Sequence, residues 1–166
     1  MIPDEIEALA IRVLEQARAR GLKIGAAESC TGGLVSAALT AIPGSSDVVE
    51  AGVVTYSYPA KQALLGIGAE LLAREGAVSE PVARAMAEGA LPALGVDLSV
   101  AVTGVAGPGG GSAEKPVGLV HFATARKGKG VVHREARFGD IGRGAVRLAS
   151  VKVALEMLAE RLADER

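Results

Sequence analysis

The sequence predicts a layered α/β domain built on a mixed β-sheet. Three observations carry that expectation. Strand-like and helix-like segments alternate along most of the chain. Leu98 to Thr103 is an unbroken apolar run, the pattern of a strand buried on both faces. The last two strands flank Lys127-Gly128-Lys129-Gly130 as a hairpin, so the sheet is not all parallel.

The elements follow in order. Ile6, Leu9, Ala10, Val13, Leu14 and Ala17 recur at helical spacing, which predicts a helix over Asp4 to Arg20 stopped by Gly21. Leu22 to Ala27 reads as a short strand, and Leu34 to Ala41 as a helix broken at Pro43-Gly44-Ser45-Ser46. Val48 to Tyr56 is rich in β-branched residues and reads as a strand. Pro59 suits the first turn of a helix ending at Leu65. A short helix over Ala69 to Arg74 closes near Gly76. Ser79 is a candidate N-cap, with Pro81 in the first turn of a helix reaching Leu94. After the Leu98 to Thr103 strand comes a Gly-rich loop, Gly104 to Lys115. Val117 to Arg126 and Val131 to Phe138 form the hairpin, and Arg143 to Leu162 is the closing helix.

Length and composition bound the function. The 166 residues suit one domain spanning 1–166, and 22% charged residues fit a globular chain. Two Tyr, two Phe and no Trp leave Ala, Val and Leu to fill the core. A net charge of -1 and scarce aromatics argue against nucleic acid as a partner. No apolar run reaches membrane-spanning length and the acidic start does not read as a signal peptide. The single cysteine, Cys30, makes no internal disulfide and fits a reducing cytoplasm.

Four segments could carry chemistry. In Glu28-Ser29-Cys30-Thr31-Gly32-Gly33 a strand hands over to a helix, whose start offers free amides and a positive dipole end. Ser29 there could be a nucleophile with an oxyanion site beside it, or Ser29 or Thr31 could simply cap the helix. Lys61 follows a strand end; burial and backbone dipoles would leave its amine neutral and able to take a proton from a serine, whereas read alone it is a surface lysine. Tyr56 could turn its hydroxyl into a site or pack at a rim. Thr103 to Ser112 follows the most buried strand, where α/β folds place ligands, and its amides could hold one phosphate. It matches neither a P-loop nor a dinucleotide pattern, so no ATP or NAD cradle is expected. Arg143 and Arg147 lie one turn apart on the final helix and could clamp a phosphate or carboxylate, or pair with Asp140.

Two features are set aside. Ser112-Ala113-Glu114-Lys115 has Ser-x-x-Lys spacing, but lies in a loop rather than on a helical turn. His121 and His133 fall in strands with no metal-ligand spacing nearby, so no metal and no cofactor is expected.

The runs Ala27 to Gly33, Ile42 to Ser46, Gly52 to Ser57, Ala60-Lys61, Gly76 to Ser79, Ala101 to Pro108 and Glu114 to Gly118 resemble the C-terminal domain of the competence/damage-inducible protein CinA. The resemblance covers Ile6 to Leu162. It implies a three-layer α/β/α fold and, for members lacking the additional CinA domain, deamidation of nicotinamide mononucleotide to nicotinate mononucleotide and ammonia. By motif position it implies Ser29 as nucleophile, Lys61 as general base and Tyr56 as a further catalytic group. Thr103 and Arg143 fall on positions associated with the site, and Gly44 and Ser45 on a loop that lines it; Thr31 and Gly104 join them as candidate substrate contacts. A small-molecule nucleotide is then the expected partner, in a cytoplasmic homodimer. The chain departs from the family pattern where Ile141 and Gly142 separate Asp140 from Arg143. A non-catalytic nucleotide-binding module linked to competence or DNA damage is the alternative from another class, and an amidase for a different small amide shares every motif.

Overall fold

The computed structural model describes residues 2–164; Met1, Glu165 and Arg166 of the expected domain lie outside the described residues. Five strands form one sheet in the order β2-β1-β3-β4-β5. They are β1 (Ile24–Glu28), β2 (Val49–Val54), β3 (Leu98–Gly104), β4 (Leu119–Arg126) and β5 (Gly130–Arg137). β1 pairs in parallel with β2 and β3, while β4 runs antiparallel to both β3 and β5, so the sheet is mixed as expected.

Six α-helices cover the two faces. On one side α1 (Asp4–Arg20), α2 (Leu34–Thr40) and α6 (Arg143–Ala163) enclose a core of Leu14, Ile24, Leu98, Phe122, Leu155 and their neighbours. On the other, α3 (Tyr58–Leu65), α4 (Ala69–Glu75) and α5 (Glu80–Leu94) pack against a sheet face of Ala27, Ala101, Ala123 and Ala125. The aromatic-poor composition has a direct structural expression there. Alanines on the sheet meet Ala83, Ala87 and Ala90 of α5, so helix and sheet approach closely. Gly89 lets α3 close in as well, since a Cβ at that position would overlap the Leu65 carbonyl.

The predicted elements stand within two residues of their expected ends, and the larger differences have local causes. β1 starts at Ile24 rather than Leu22, because Leu22 donates to Ala17 to close α1 and the Lys23 amide goes to the Asp97 carboxylate at 2.8 Å. It runs on through Glu28, whose charge is met by hydrogen bonds described below. β2 ends at Val54, and Thr55 leaves the strand. β4 starts at Leu119: Gly118, at φ +91, turns the chain so that its amide meets the Val105 carbonyl at 2.8 Å. A 3-10 turn, Ser45–Asp47, stands where only a break was expected.

The chain visits β1, then β2 on one side, then β3 on the other. The strand order therefore reverses between β1 and β3, and a crevice opens beyond their carboxyl ends. Ser29 follows one of those ends and Thr103 lies at the other.

Candidate active site

A cavity of about 270 Å³ fills this crevice. Ser29 and Cys30 enter it from β1, Thr103 to Gly107 from β3 and the following loop, Lys61 from α3, Ala77 and Val78 from the segment before α5, and Tyr56 and Arg143 from its mouth. No lining residue is acidic.

Lys61 is held at its floor. Ser57 caps α3 by accepting from the Ala60 amide at 3.1 Å, Pro59 occupies the first turn, and the helix places Lys61 facing inward. Its side chain is 1% exposed. Nζ lies 3.0 Å from Ser29 Oγ and 2.6 Å from the Thr55 carbonyl. Burial pushes the amine below its ordinary value of 10.5, opposed only by the neighbouring Cys30. A neutral amine fits both contacts: it donates an N–H to Thr55 and accepts the Ser29 hydroxyl proton on its lone pair.

Cys30 also lines the cavity, but burial, with the Glu28 charge adding to it, pushes its thiol up to about 11. The thiolate is the reactive form, so Cys30 holds little of its reactive form at neutral pH. The Thr31 amide donates to no other backbone group among the described residues, and the Cys30 amide lies against its own thiol, where it works against the upward push.

The helix start next to Ser29 is not free, contrary to the sequence expectation. Glu28 occupies it, accepting from the Gly33, Val35 and Ser36 amides. The free amides lie in the Gly-rich loop instead: those of Ala106, Gly107, Gly109 and Gly110 have no partner among the described residues. Val105 donates to the Leu119 carbonyl at 2.9 Å and so clamps the base of that loop.

At the mouth, Arg143 donates to the Gly107 carbonyl at 2.8 Å and to the Tyr56 hydroxyl at 2.9 Å. The guanidinium thus joins the end of β2 to the loop, leaving Tyr56 60% exposed. Thr103 donates to the Ala77 carbonyl, and the Ala77 amide donates to the Tyr58 hydroxyl, fixing the opposite wall to α3.

A profile of the CinA C-terminal domain matches residues 6–162 of the sequence. The chain belongs to the CinA C-terminal domain family. It is 57% identical over 157 residues to a CinA-like protein of Synechococcus sp. (strain RCC307), covering 94% of this chain and 37% of that protein. The chain thus spans little more than a third of the length of such relatives. It is 48% identical to the nicotinamide-nucleotide amidohydrolase PncC of Escherichia coli (strain K12), with 95% of each chain covered. The crystal structure of competence/damage inducible protein CihA from Agrobacterium tumefaciens matches with a TM-score of 0.96 at 54% identity, covering 99% of both chains.

The CinA fold brings together Ser29, Lys61, Tyr56, Thr103, Gly104 and Arg143 around one cavity. It does not bring Thr31, Gly44 or Ser45 to that cavity. Thr31 is buried beneath the turn. Gly44 and Ser45 precede the start of β2, which pairs with the start of β1 at Ile24↔Val49, so they sit at the opposite end of the sheet from Ser29. Arg147, expected to clamp with Arg143, instead donates to the Cys30 and Thr31 carbonyls at 3.1 and 3.2 Å. Neither arginine forms an ion pair with Asp140 among the described residues. In the Ser112 to Lys115 segment, Lys115 turns away to the Glu75 carbonyl.

Sequence reasoning missed Ala77 and Val78, which carry no chemical signature, and the structural part of Glu28. A lone acid following Ala26-Ala27 in a buried strand was the available signal for Glu28. It also left the histidines apart. They stack at 5.1 Å and share a hydrogen bond at 2.9 Å, with Glu80 3.1 Å from His133. Among the described residues, no group of three His, Cys, Asp or Glu is arranged to hold a metal. No described helix is long and apolar enough to cross a membrane.

Proposed function

We propose that this chain is an amidohydrolase that converts nicotinamide mononucleotide to nicotinate mononucleotide and ammonia. The observation that carries this reading is the buried Lys61 amine on the Ser29 hydroxyl, in a cavity free of acidic residues. The likeness to the nicotinamide-nucleotide amidohydrolase of Escherichia coli supports the substrate.

Lys61 takes the proton of Ser29 as Oγ bonds to the carboxamide carbon, and the carbonyl oxygen becomes an oxyanion. The amide of Cys30, the residue after the nucleophile, is the available donor beside it; one such donor is worth about 3 kcal/mol in comparable hydrolases. The C–N bond breaks as protonated Lys61 returns its proton to the departing nitrogen, releasing ammonia and leaving an ester on Ser29. Tyr56, whose oxygen accepts from Arg143, has its own O–H available at the mouth as a second donor. Lys61 then deprotonates a water that attacks the ester. The carboxylate product leaves, and Ser29 recovers its proton.

The nucleotide phosphate lies against the free loop amides from Ala106 to Gly110 and the Arg143 guanidinium, which offer donors and positive charge together. Cytoplasmic residence and a homodimer belong to the same reading. The deciding experiment is ammonia release from nicotinamide mononucleotide, with nicotinamide and the dinucleotide as controls. Turnover of the mononucleotide supports the reading. Thermal stabilisation by the mononucleotide without turnover would favour a binding module instead.

A further inference from the structure

Glu28 ends β1, directly before Ser29, and its side chain is fully buried. A carboxylate in that position is costly unless its oxygens find donors. One oxygen accepts the Gly33 amide at 3.2 Å and the Val35 amide at 2.9 Å. The other accepts the Ser36 amide at 2.9 Å and the Ser36 hydroxyl at 2.8 Å. Helix α2 begins after Gly33 and has no capping side chain at that residue. Glu28, five residues upstream of Gly33, therefore does for the helix what an N-cap side chain does, with a full negative charge at the positive end.

The geometry has further support. Gly52 on β2 stands beside Ser36, and a Cβ there would overlap the Ser36 hydroxyl. Arg147 grips the same turn through the Cys30 and Thr31 carbonyls. The segment from Ser29 to Gly33 is thus tied down by a carboxylate at one end and a guanidinium in its middle.

We propose that Glu28 is a positioning residue: by holding the first amides of α2 it fixes the turn that carries Ser29, and so sets Oγ against Lys61 Nζ. This rests on the reading of Ser29 and Lys61 as nucleophile and base. Glu28 touches no substrate. Its effect is on the geometry of attack, where a misplacement of about 1 Å can cost 100-fold.

Phenylmethanesulfonyl fluoride tests this independently of the natural substrate. Ser29 Oγ bonds to sulfur, fluoride leaves, and the serine proton goes to Lys61; intact mass reads the extent. Glu28→Gln keeps the size of the side chain but cannot accept from both sides. Expected are sulfonylation and ammonia release slowed about 100-fold, with KM and the pH midpoint of labelling unchanged. Ser36→Ala, a milder change, is expected to slow both about 10-fold. A loss of global stability alone would alter neither rate in folded protein held well below its melting temperature. Wild-type labelling rates in folded Glu28→Gln overturn the proposal, as does a shifted pH midpoint with an unchanged plateau. Where Glu28→Gln does not fold, a wild-type rate in Ser36→Ala overturns it. Wild-type protein that is sulfonylated on Ser29 yet leaves the mononucleotide intact refutes the substrate reading alone, and the labelling rates still decide Glu28.

Discussion

Ser29 and Lys61 are separated by 32 positions in the chain, yet Oγ and Nζ lie 3.0 Å apart with Lys61 sealed from solvent. In the proposed mechanism, removing either group removes the nucleophile or its base. Ser29→Ala and Lys61→Ala are each expected to lower kcat by about ten-thousand-fold or more, as losses of such groups do elsewhere. The measurement is ammonia release, with circular dichroism to confirm folding. Activity near the wild-type level in either variant would rule out the pair.

The same burial gives Lys61 a signature in stability. Its folded-state pKa lies below the unfolded value of 10.5, so between the two the unfolded chain binds a proton that the folded chain refuses. Stability therefore rises with pH across that window, and below the folded value the full penalty of charging a buried amine applies. Lys61→Met is expected to be more stable than wild type at neutral pH and to lose that part of the slope in urea titrations. In the wild type, kcat/KM should climb with pH as the amine deprotonates and level off below 10.5.

Cys30 adjoins the nucleophile but is expected to be dispensable. With its thiol at about 11, very little thiolate exists at neutral pH. Cys30→Ala should retain activity within about fivefold of wild type, and iodoacetamide should inactivate slowly at pH 7 and faster as pH rises. Rapid inactivation at pH 7, abolished in Cys30→Ala, would assign the attack to sulfur.

Gly89 controls the position of α3 from a distance. An added Cβ meets the Leu65 carbonyl, so Gly89→Ala must push α3, and Lys61 with it, away from the sheet. Overpacking of this kind costs about 1–3 kcal/mol. The expected result is a lower melting temperature together with a kcat loss larger than any change in KM. An unchanged kcat would mean that α3 absorbs the displacement beyond Lys61.

The histidine pair behind Thr103 predicts acid sensitivity. Burial holds both His121 and His133 below 6.5, and His133 further opposes charge on His121; Glu80 and Glu135 pull upward, while Arg84 acts against His133 and Lys115 against His121. The unfolded chain takes up protons first as pH falls below 6.5, so stability declines there. Urea midpoints at pH 7 and pH 5 should show the decline, and His133→Gln should reduce it.

Residues whose local pattern matched their tertiary setting were legible in the sequence. The apolar periodicity of α1 and the unbroken run of β3 named their elements without help from the rest of the chain. Ser29, Lys61 and Arg143 follow strand ends or open a helix, but read alone they fit a cap, a surface lysine and a solvated arginine as well; the family resemblance singled them out, and the fold brings them to one cavity. What stayed hidden depends on partners far away in sequence. Glu28 continues β1 against the general reluctance of carboxylates to be buried, and only the folded position of α2 satisfies it. Val117 and Gly118 read as strand, but closing the Gly-rich loop onto Val105 takes them out of the ladder. Arg147 looked like the twin of Arg143, yet one helical turn is enough to move it from the mouth of the cavity to the back of the turn that carries Ser29.

The clamp at Val105, with its hydrogen bonds to Leu119 and Gly118, closes the span from Ala106 to Val117 at its base, so its two ends are held together whatever lies between them. Doubling the length of that span would add only about 0.6 kcal/mol of closure entropy. Grafted variants could thus present new recognition groups to incoming molecules while Ser29 and Lys61, anchored on other elements, stay in register.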